Sequence, residues 1–254
     1  MKKSRITFLG GSATGLGPSG YLLEINGYNI VVDYGLEFTS WPKETDPITK
    51  WFFRKKVQAS VLHERFWKGK EIHAVLVTHK HLDHLGGVPM LEQYMARGAK
   101  VWADPITNEA MPIVFHDTVH YSPYLYDIFE SYYTLEGRRQ NISLGETEIL
   151  PGVKVFAKRA GHVPGALSFI FDLGNGERGL ITGDKGLHYQ FIVEGAKYCS
   201  EDVPKEYMPT YVLGMDLTHG MGRRKDFLTE CDHLVKASEP ILDNKGIVIV
   251  GAFG

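Results

Sequence analysis

The chain reads as short apolar runs broken by glycine and asparagine, with a few stretches of helical periodicity between them. Arg5 to Leu9 predicts a first strand. Tyr21 to Ile25 and Tyr28 to Val32 flank Asn26-Gly27, a type I′ signal, and predict a hairpin. Ala74-Val75-Leu76-Val77 is continuously apolar and predicts a strand buried on both faces. Val88 to Arg97 has helical spacing and stops at Gly98, a suitable residue just past a helix end. Lys100 to Ala103 predicts a strand, and Pro105 to Asp117 a helix interrupted or started late by Pro112. Strands follow at Ile142 to Leu150, Val153 to Arg159 and Phe169 to Leu173; the last turns at Asn175-Gly176 into Gly179 to Asp184. A helix over about 226 to 239 and a strand at Ile247 to Val250 complete the pattern. Alternating strands and helices argue for a layered α/β domain.

Residues 36 to 71 resist this reading and mix aromatics with Lys and Arg. Such mixtures can track a nucleic-acid strand, although aromatic-rich segments more often pack into a core. The glycines at 15, 17 and 20 form a literal G-x-G-x-x-G. A dinucleotide site needs a helix after that motif, and a hairpin follows instead. These glycines therefore predict a loop whose backbone passes close to another segment.

With 254 residues, 43% of them hydrophobic, the chain can bury a sizeable core as one large domain or two small ones. Its 28 basic and 30 acidic residues give a net charge of −2, so no global nucleic-acid footprint exists. Nucleic-acid binding would need local patches, of which 54–56, 138–139 and 223–225 are the candidates. Cys199 and Cys231 imply no disulfide framework and are expected to be buried small hydrophobes. No run approaches the ~18 apolar residues of a spanning helix, and the N-terminal apolar run is too short for a signal sequence. A cytoplasmic setting and no membrane partner are the expectation.

The chemistry concentrates in Thr78-His79-Lys80-His81-Leu82-Asp83-His84-Leu85-Gly86-Gly87, directly after the buried run. Imidazoles and a carboxylate in one short loop are hard to explain by packing, since each unpaired polar group there costs about 1–3 kcal/mol. They are donors suited to zinc. His79 and His81 project alike from extended backbone, while Asp83 and His84 sit where a helix begins; the two pairs could serve two metals. His162 and Asp184, beside glycines at strand ends, would complete a two-metal set, while Asp33 at the end of the hairpin reads either as a strand-end turn former or as part of a site.

These residues resemble the metallo-β-lactamase superfamily. Thr78 to Gly87 matches its H-x-H-x-D-H signature, and Asp33, His162 and Asp184 match its other motifs. Ala160-Gly161-His162-Val163-Pro164-Gly165-Ala166 and Thr182-Gly183-Asp184 are similar to the β-CASP nucleases, and Asp216-Leu217-Thr218-His219-Gly220 to that branch's acidic motif. The resemblance implies an α/β fold, the αββα sandwich of two mixed β-sheets flanked by helices. It places this domain over 1–210 and an incomplete β-CASP-like region over 211–254. It further implies a zinc-dependent phosphodiesterase or ribonuclease using a metal-bridging hydroxide. Hydrolysis of a small thioester, lactone or phosphodiester, or a catalytically incomplete metal-binding fragment, are the competing readings. Two Zn2+ sites are expected. His79, His81 and His162 hold the first, Asp83 and His84 the second, and Asp184 bridges. Asp33, Asp83 and Asp216 take catalytic or orienting roles. The family's last metal-ligand histidine lies in a continuation with no counterpart here, so the second site is expected to be weaker, with His188 or His219 as substitutes. The sequence is expected to be the N-terminal part of a longer protein. RNA or single-stranded nucleic acid is the expected partner, with room for a homo-oligomer.

Overall fold

A computed structural model describes residues 4–10, 18–39, 56–59, 64–121, 134–189, 192–199, 202–215 and 226–250. Two compact units emerge, Met1–Asp216 and Leu217–Gly254.

The first unit contains two mixed sheets. The larger comprises β1 (Arg5–Phe8), β2 (Gly20–Ile25), β3 (Tyr28–Tyr34), β6 (Ile72–Leu76), β7 (Met95–Ala103) and β8 (Arg139–Asn141), adjacent in that order. Its first three strands are antiparallel, and β3, β6, β7 and β8 run parallel. The second sheet has the order β13 (Tyr211–Gly214), β12 (Glu177–Ile181), β11 (Leu167–Gly174), β10 (Val153–Arg159), β9 (Gly145–Leu150). All its pairs are antiparallel except β12 with β13. A separate pair joins β4 (Leu36–Thr39) to β5 (Lys56–Ala59). Helices α1 (Glu64–Trp67), α2 (Leu82–Leu85) and α3 (Pro105–Tyr121) belong to this unit, and α4 (Phe227–Asp243) to the second.

Strand β6 shows why the apolar run reads without alternation. Ala74 and Leu76 face the second sheet and pack with Ile30, Val32, Val155, Phe169 and Ile181. Val75 and Val77 face the other way, into a cluster with Leu85, Leu91, Met111 and Phe115. Both faces are desolvated, so both must be apolar. The hairpin turn is as predicted: Asn26 and Gly27 have φ of 52° and 89°. Asn175 and Gly176 repeat it at 55° and 79°.

Several expectations fail for physical reasons. The helix expected over Val88 to Arg97 is a 3-10 helix, Val88–Tyr94, and the chain enters β7 at Met95. Gly98, with φ of 87°, does not end a helix; it lies where β7 carries extra residues between its pairings to Ile72 and Ala74. Ile247 to Val250 makes no strand pairing among the described residues, and Ile247 and Ile249 are 85% and 90% exposed. Cys199 is exposed and Cys231 half-buried, so neither is the buried hydrophobe expected. Arg138 and Arg139 form no free basic patch. Arg138 donates to Ala96 and Ala99 carbonyls and meets Glu92, while Arg139 meets Glu136. The candidate cations 54, 55 and 223–225, and the Lys56 side chain, lie outside the description.

Pro112 sits inside α3 rather than ending it. Proline lacks the N–H that would bond the carbonyl four residues back, at Asn108. Arg139 supplies the missing donor, its Nη1 lying 2.8 Å from the Asn108 oxygen. We predict that Arg139→Leu destabilises the chain by about 1.5–3 kcal/mol in chemical unfolding, the range for a charge-assisted hydrogen bond. In a Pro112→Ala background the helix regains its own donor, and the same change should cost measurably less. Equal costs in both backgrounds would disprove the compensation.

Candidate metal centre

The signature residues gather where strands of both sheets end. His79, His81, Asp83 and His84 follow β6, Asp33 lies near the end of β3, His162 follows β10 and Asp184 follows β12. The loop at the carboxyl end of a parallel strand is where α/β sheets build sites.

Four donors converge. His79 Nε2 lies 3.0 Å from His81 Nδ1, and His162 Nε2 lies 3.1 Å from the same atom. Asp184 Oδ2 is 3.5 Å from His162 Nε2 and 3.9 Å from His79 Nε2. All four donor atoms fall within 4.8 Å of one another. A tetrahedral ion with ligands at ~2.1 Å separates its donors by ~3.4 Å. The cluster is thus close to the size of such a shell, and its imidazole-rich donor set fits a borderline-soft divalent ion.

A second set meets the other oxygen of the same carboxylate. His84 Nε2 is 3.1 Å from Asp184 Oδ1 and 3.9 Å from Asp83 Oδ2. Asp184 therefore presents one oxygen to each group, the disposition of a bridging ligand. Asp83 has a half-exposed side chain.

Asp33 holds this arrangement from behind. It is fully buried, with φ of 55°. Its Oδ1 accepts the Thr78 N–H at 2.7 Å, and its Oδ2 accepts the Thr78 hydroxyl at 2.8 Å. His84 Nδ1 stands 2.8 Å from the same Oδ2. An Nδ1–H donated there turns Nε2 toward Asp184 and Asp83, where it can ligate once its own proton is lost. Asp33 touches no other donor of the cluster, so its place is that of an orienting group.

Glycines set the backbone. Gly161 and Gly183, each immediately before a predicted ligand, have φ of 71° and 57°. A Cβ on Gly183 would press on the Thr78 side chain at 2.7 Å. The glycine-loop expectation is met at the loop's described end: Ser19 N–H donates to the Asp83 carbonyl at 2.7 Å, and Gly35 lies against Asp83 too closely for any Cβ. Residues 11–17 lie outside the described residues.

Asp216 and His219 also lie outside the described residues. His188 is exposed and does not join the described cluster. His73 Nδ1 accepts the Asn29 N–H at 3.0 Å.

The titration behaviour follows from burial and neighbours. Burial, then the adjacent His84, His81 and His162, drives the His79 pKa well below 6.5. Burial and His162 lower His81. Burial also opposes charge on His84, but Asp33 and Asp184 outweigh it and hold its pKa well above 6.5. Burial disfavours the Asp184 carboxylate, yet His84 reverses the effect and lowers its pKa.

Comparison with known proteins places the chain. The model of the metallo-beta-lactamase superfamily matches residues 13–196. The chain belongs to this superfamily. Curated relatives within reach include the transcription termination factor FttA of Methanosarcina mazei, 29% identical over 191 residues, or 71% of this chain and 27% of the relative. The FttA of Thermococcus kodakarensis is 27% identical over 71% of this chain and 28% of its own length. Ribonuclease TTHA0252 of Thermus thermophilus is 33% identical over 117 residues, covering 46% of this chain and 27% of the relative. The chain thus spans little more than a quarter of these relatives. The two mixed sheets with flanking helices are the superfamily's α/β fold, and its His/Asp cluster is a site for a divalent metal. Among the described residues, no helix is long and apolar enough to cross a membrane.

Two predictions follow from this geometry. A protonated His84 cannot ligate through Nε2, so metal binding must release its proton. The stabilising charge pair of His84 in the metal-free chain is complete below pH 6.5 and is lost as pH rises through its raised pKa. Metal affinity should therefore increase with pH over that window, and calorimetry in buffers of different ionisation enthalpy should detect the released proton. Asp33→Asn puts an amide N–H against a donor, and metal affinity should fall about 10–100-fold, the usual effect of removing an orienting partner. A chromophoric chelator in competition would measure it.

Proposed function

We propose that the chain is the metal-binding portion of a zinc-dependent hydrolase, a phosphodiesterase or ribonuclease of β-CASP type. The observation that carries this reading is Asp184, with Oδ2 toward His79 and His162 and Oδ1 toward His84. A carboxylate so placed between two donor groups suits two metals acting on one phosphodiester. Zinc is favoured because three of the four convergent donors are imidazoles. His79, His81 and His162 would hold the first ion, Asp83 and His84 the second, with Asp184 between. When bound, the metals supply Lewis acidity toward a phosphoryl oxygen and toward a water molecule.

The chain's own groups do the rest. Asp33 fixes the His84 ring and takes the proton of Nδ1 as a hydrogen bond. Burial keeps His79 neutral, ready to ligate without first losing a proton. Asp83, the most exposed acid of the set, stands where an incoming substrate and solvent meet the site. RNA is the favoured substrate because one relative carries the name ribonuclease. The domain limits proposed are 1–210 for the metallo-β-lactamase-like part and 211–254 for a β-CASP-like beginning, with Asp216 as an orienting acid there. A cytoplasmic location belongs to the same reading.

The test combines metal analysis with cleavage of a labelled single-stranded RNA. Protein purified without chelator should carry zinc, the second equivalent more weakly than the first. Cleavage should stop with chelator, return with zinc and fall at least 100-fold in His81→Ala. Zinc-loaded wild-type protein that leaves RNA intact but hydrolyses a thioester or lactone would replace this reading with the small-substrate one.

A further inference from the structure

His162 differs from the other histidines of the cluster. It arrives from the second sheet, and its side chain is 28% exposed where His79 is fully buried. Packing alone does not hold it in register with His79 and His81. Its loop must be tied to the first sheet, where those two residues originate.

One backbone tie is the Leu167 N–H to the Thr78 carbonyl, 2.8 Å. A further tie is made by Asp104, which follows β7 and is 4% exposed. Its Oδ2 lies 2.6 Å from Arg159 Nη1, at the end of β10 and three residues before His162. Its Oδ1 accepts the Ile106 N–H at 2.9 Å at the start of α3. The same Oδ1 lies 3.0 Å from where a Gly165 Cβ would stand, three residues after His162. Thr107, fully buried, donates its hydroxyl to the Gly165 carbonyl at 3.2 Å. The Asp104 carboxylate thus ties the Arg159 end of the His162 loop to the segment that follows β7, and Thr107, three residues further on, ties the Gly165 end.

We propose that Asp104 and Arg159 are positioning residues for the metal centre, setting where His162 Nε2 stands relative to His79 and His81. This rests on the metal-binding reading of the cluster. Neither residue touches the convergent donors, so the effect acts through the loop. An Arg–carboxylate pair suits the task because it fixes direction as well as distance. Asp104 is buried while the Arg159 side chain is half-exposed, so the pair is partly screened, and its carboxylate end is the fixed one.

Asp104→Asn separates the roles, because an asparagine oxygen still accepts the Ile106 N–H and preserves the helix start. Arg159→Met tests the same pair from the other side, and Arg159→Lys restores the charge without the fork. Zinc affinity by competition with a chromophoric chelator, and the visible spectrum of the cobalt(II)-substituted chain, report the first shell directly. Asp104→Asn and Arg159→Met should each bind zinc at least about tenfold more weakly, as loss of outer partners typically does. Their cobalt spectra should be altered, and Arg159→Lys should recover part of the affinity. A lowered melting temperature of the metal-free variants with unchanged affinity and spectrum would overturn the proposal and leave a purely structural ion pair. A wild-type chain that binds neither zinc nor cobalt would instead overturn the metal-binding reading, and the proposal with it.

Discussion

The fully buried carboxylate of Asp33 is the constraint on which the site depends. A desolvated carboxylate is costly unless its charge is matched and its oxygens are bonded. Asp33 meets both conditions with groups from the β6 loop: the Thr78 N–H, the Thr78 hydroxyl and His84. Its φ of 55° is a conformation Asp tolerates better than most residues, but still one that surrounding contacts must hold. The end of β3 and the start of the metal loop are therefore fixed together. The direction of His84 Nε2 follows from that bond.

The two-sheet architecture explains why the donors arrive as they do. Parallel β3 and β6 end side by side and deliver Asp33 and the histidine loop. Antiparallel β10 and β11, with β12 beyond, return the chain so that His162 and Asp184 emerge at the same edge. The apolar layer between the sheets, with Leu76, Val155, Phe169 and Ile181, brings the edges together. Burial of each such side chain contributes about 1.5–3 kcal/mol. The core tolerates this because the polar groups are confined to strand ends, where the backbone leaves the ladder.

Much of this was legible in the sequence because the local signals were also the structural causes. The unalternating run at 74–77 meant burial on both faces, Asn-Gly meant a type I′ turn, and the histidines beside acids meant a convergent cluster of donors. What was illegible depends on partners distant in the chain. Gly98 resembles a helix terminator in sequence, and only its place opposite β6 makes it part of an irregularity in β7. Arg138 and Arg139 looked like a basic patch, yet their terminal guanidinium nitrogens meet carbonyls and acids of the fold. Arg139 in particular answers the vacancy that Pro112 creates at Asn108, a link across 31 positions. Asp104 and Arg159 are 55 positions apart and carry no motif, so nothing local distinguished them from a surface pair.

The two donor groups are unequal in a way that bears on their chemistry. The first assembles three imidazoles, two of them depressed in pKa, around a point also reached by Asp184. Burial disfavours the protonated forms of His79 and His81, so a cation entering there would have little proton to displace from those two. The second group offers His84, held charged by Asp33 and Asp184, and the half-exposed Asp83. A cation there must first expel a proton that two carboxylates stabilise, and then finds fewer described donors. In the proposed two-metal reading, a cation held at Oδ2 would weaken the hold of Asp184 on the His84 proton by drawing density from the carboxylate. The shared carboxylate would then couple the two positions, with occupancy of the first lowering the proton cost of the second.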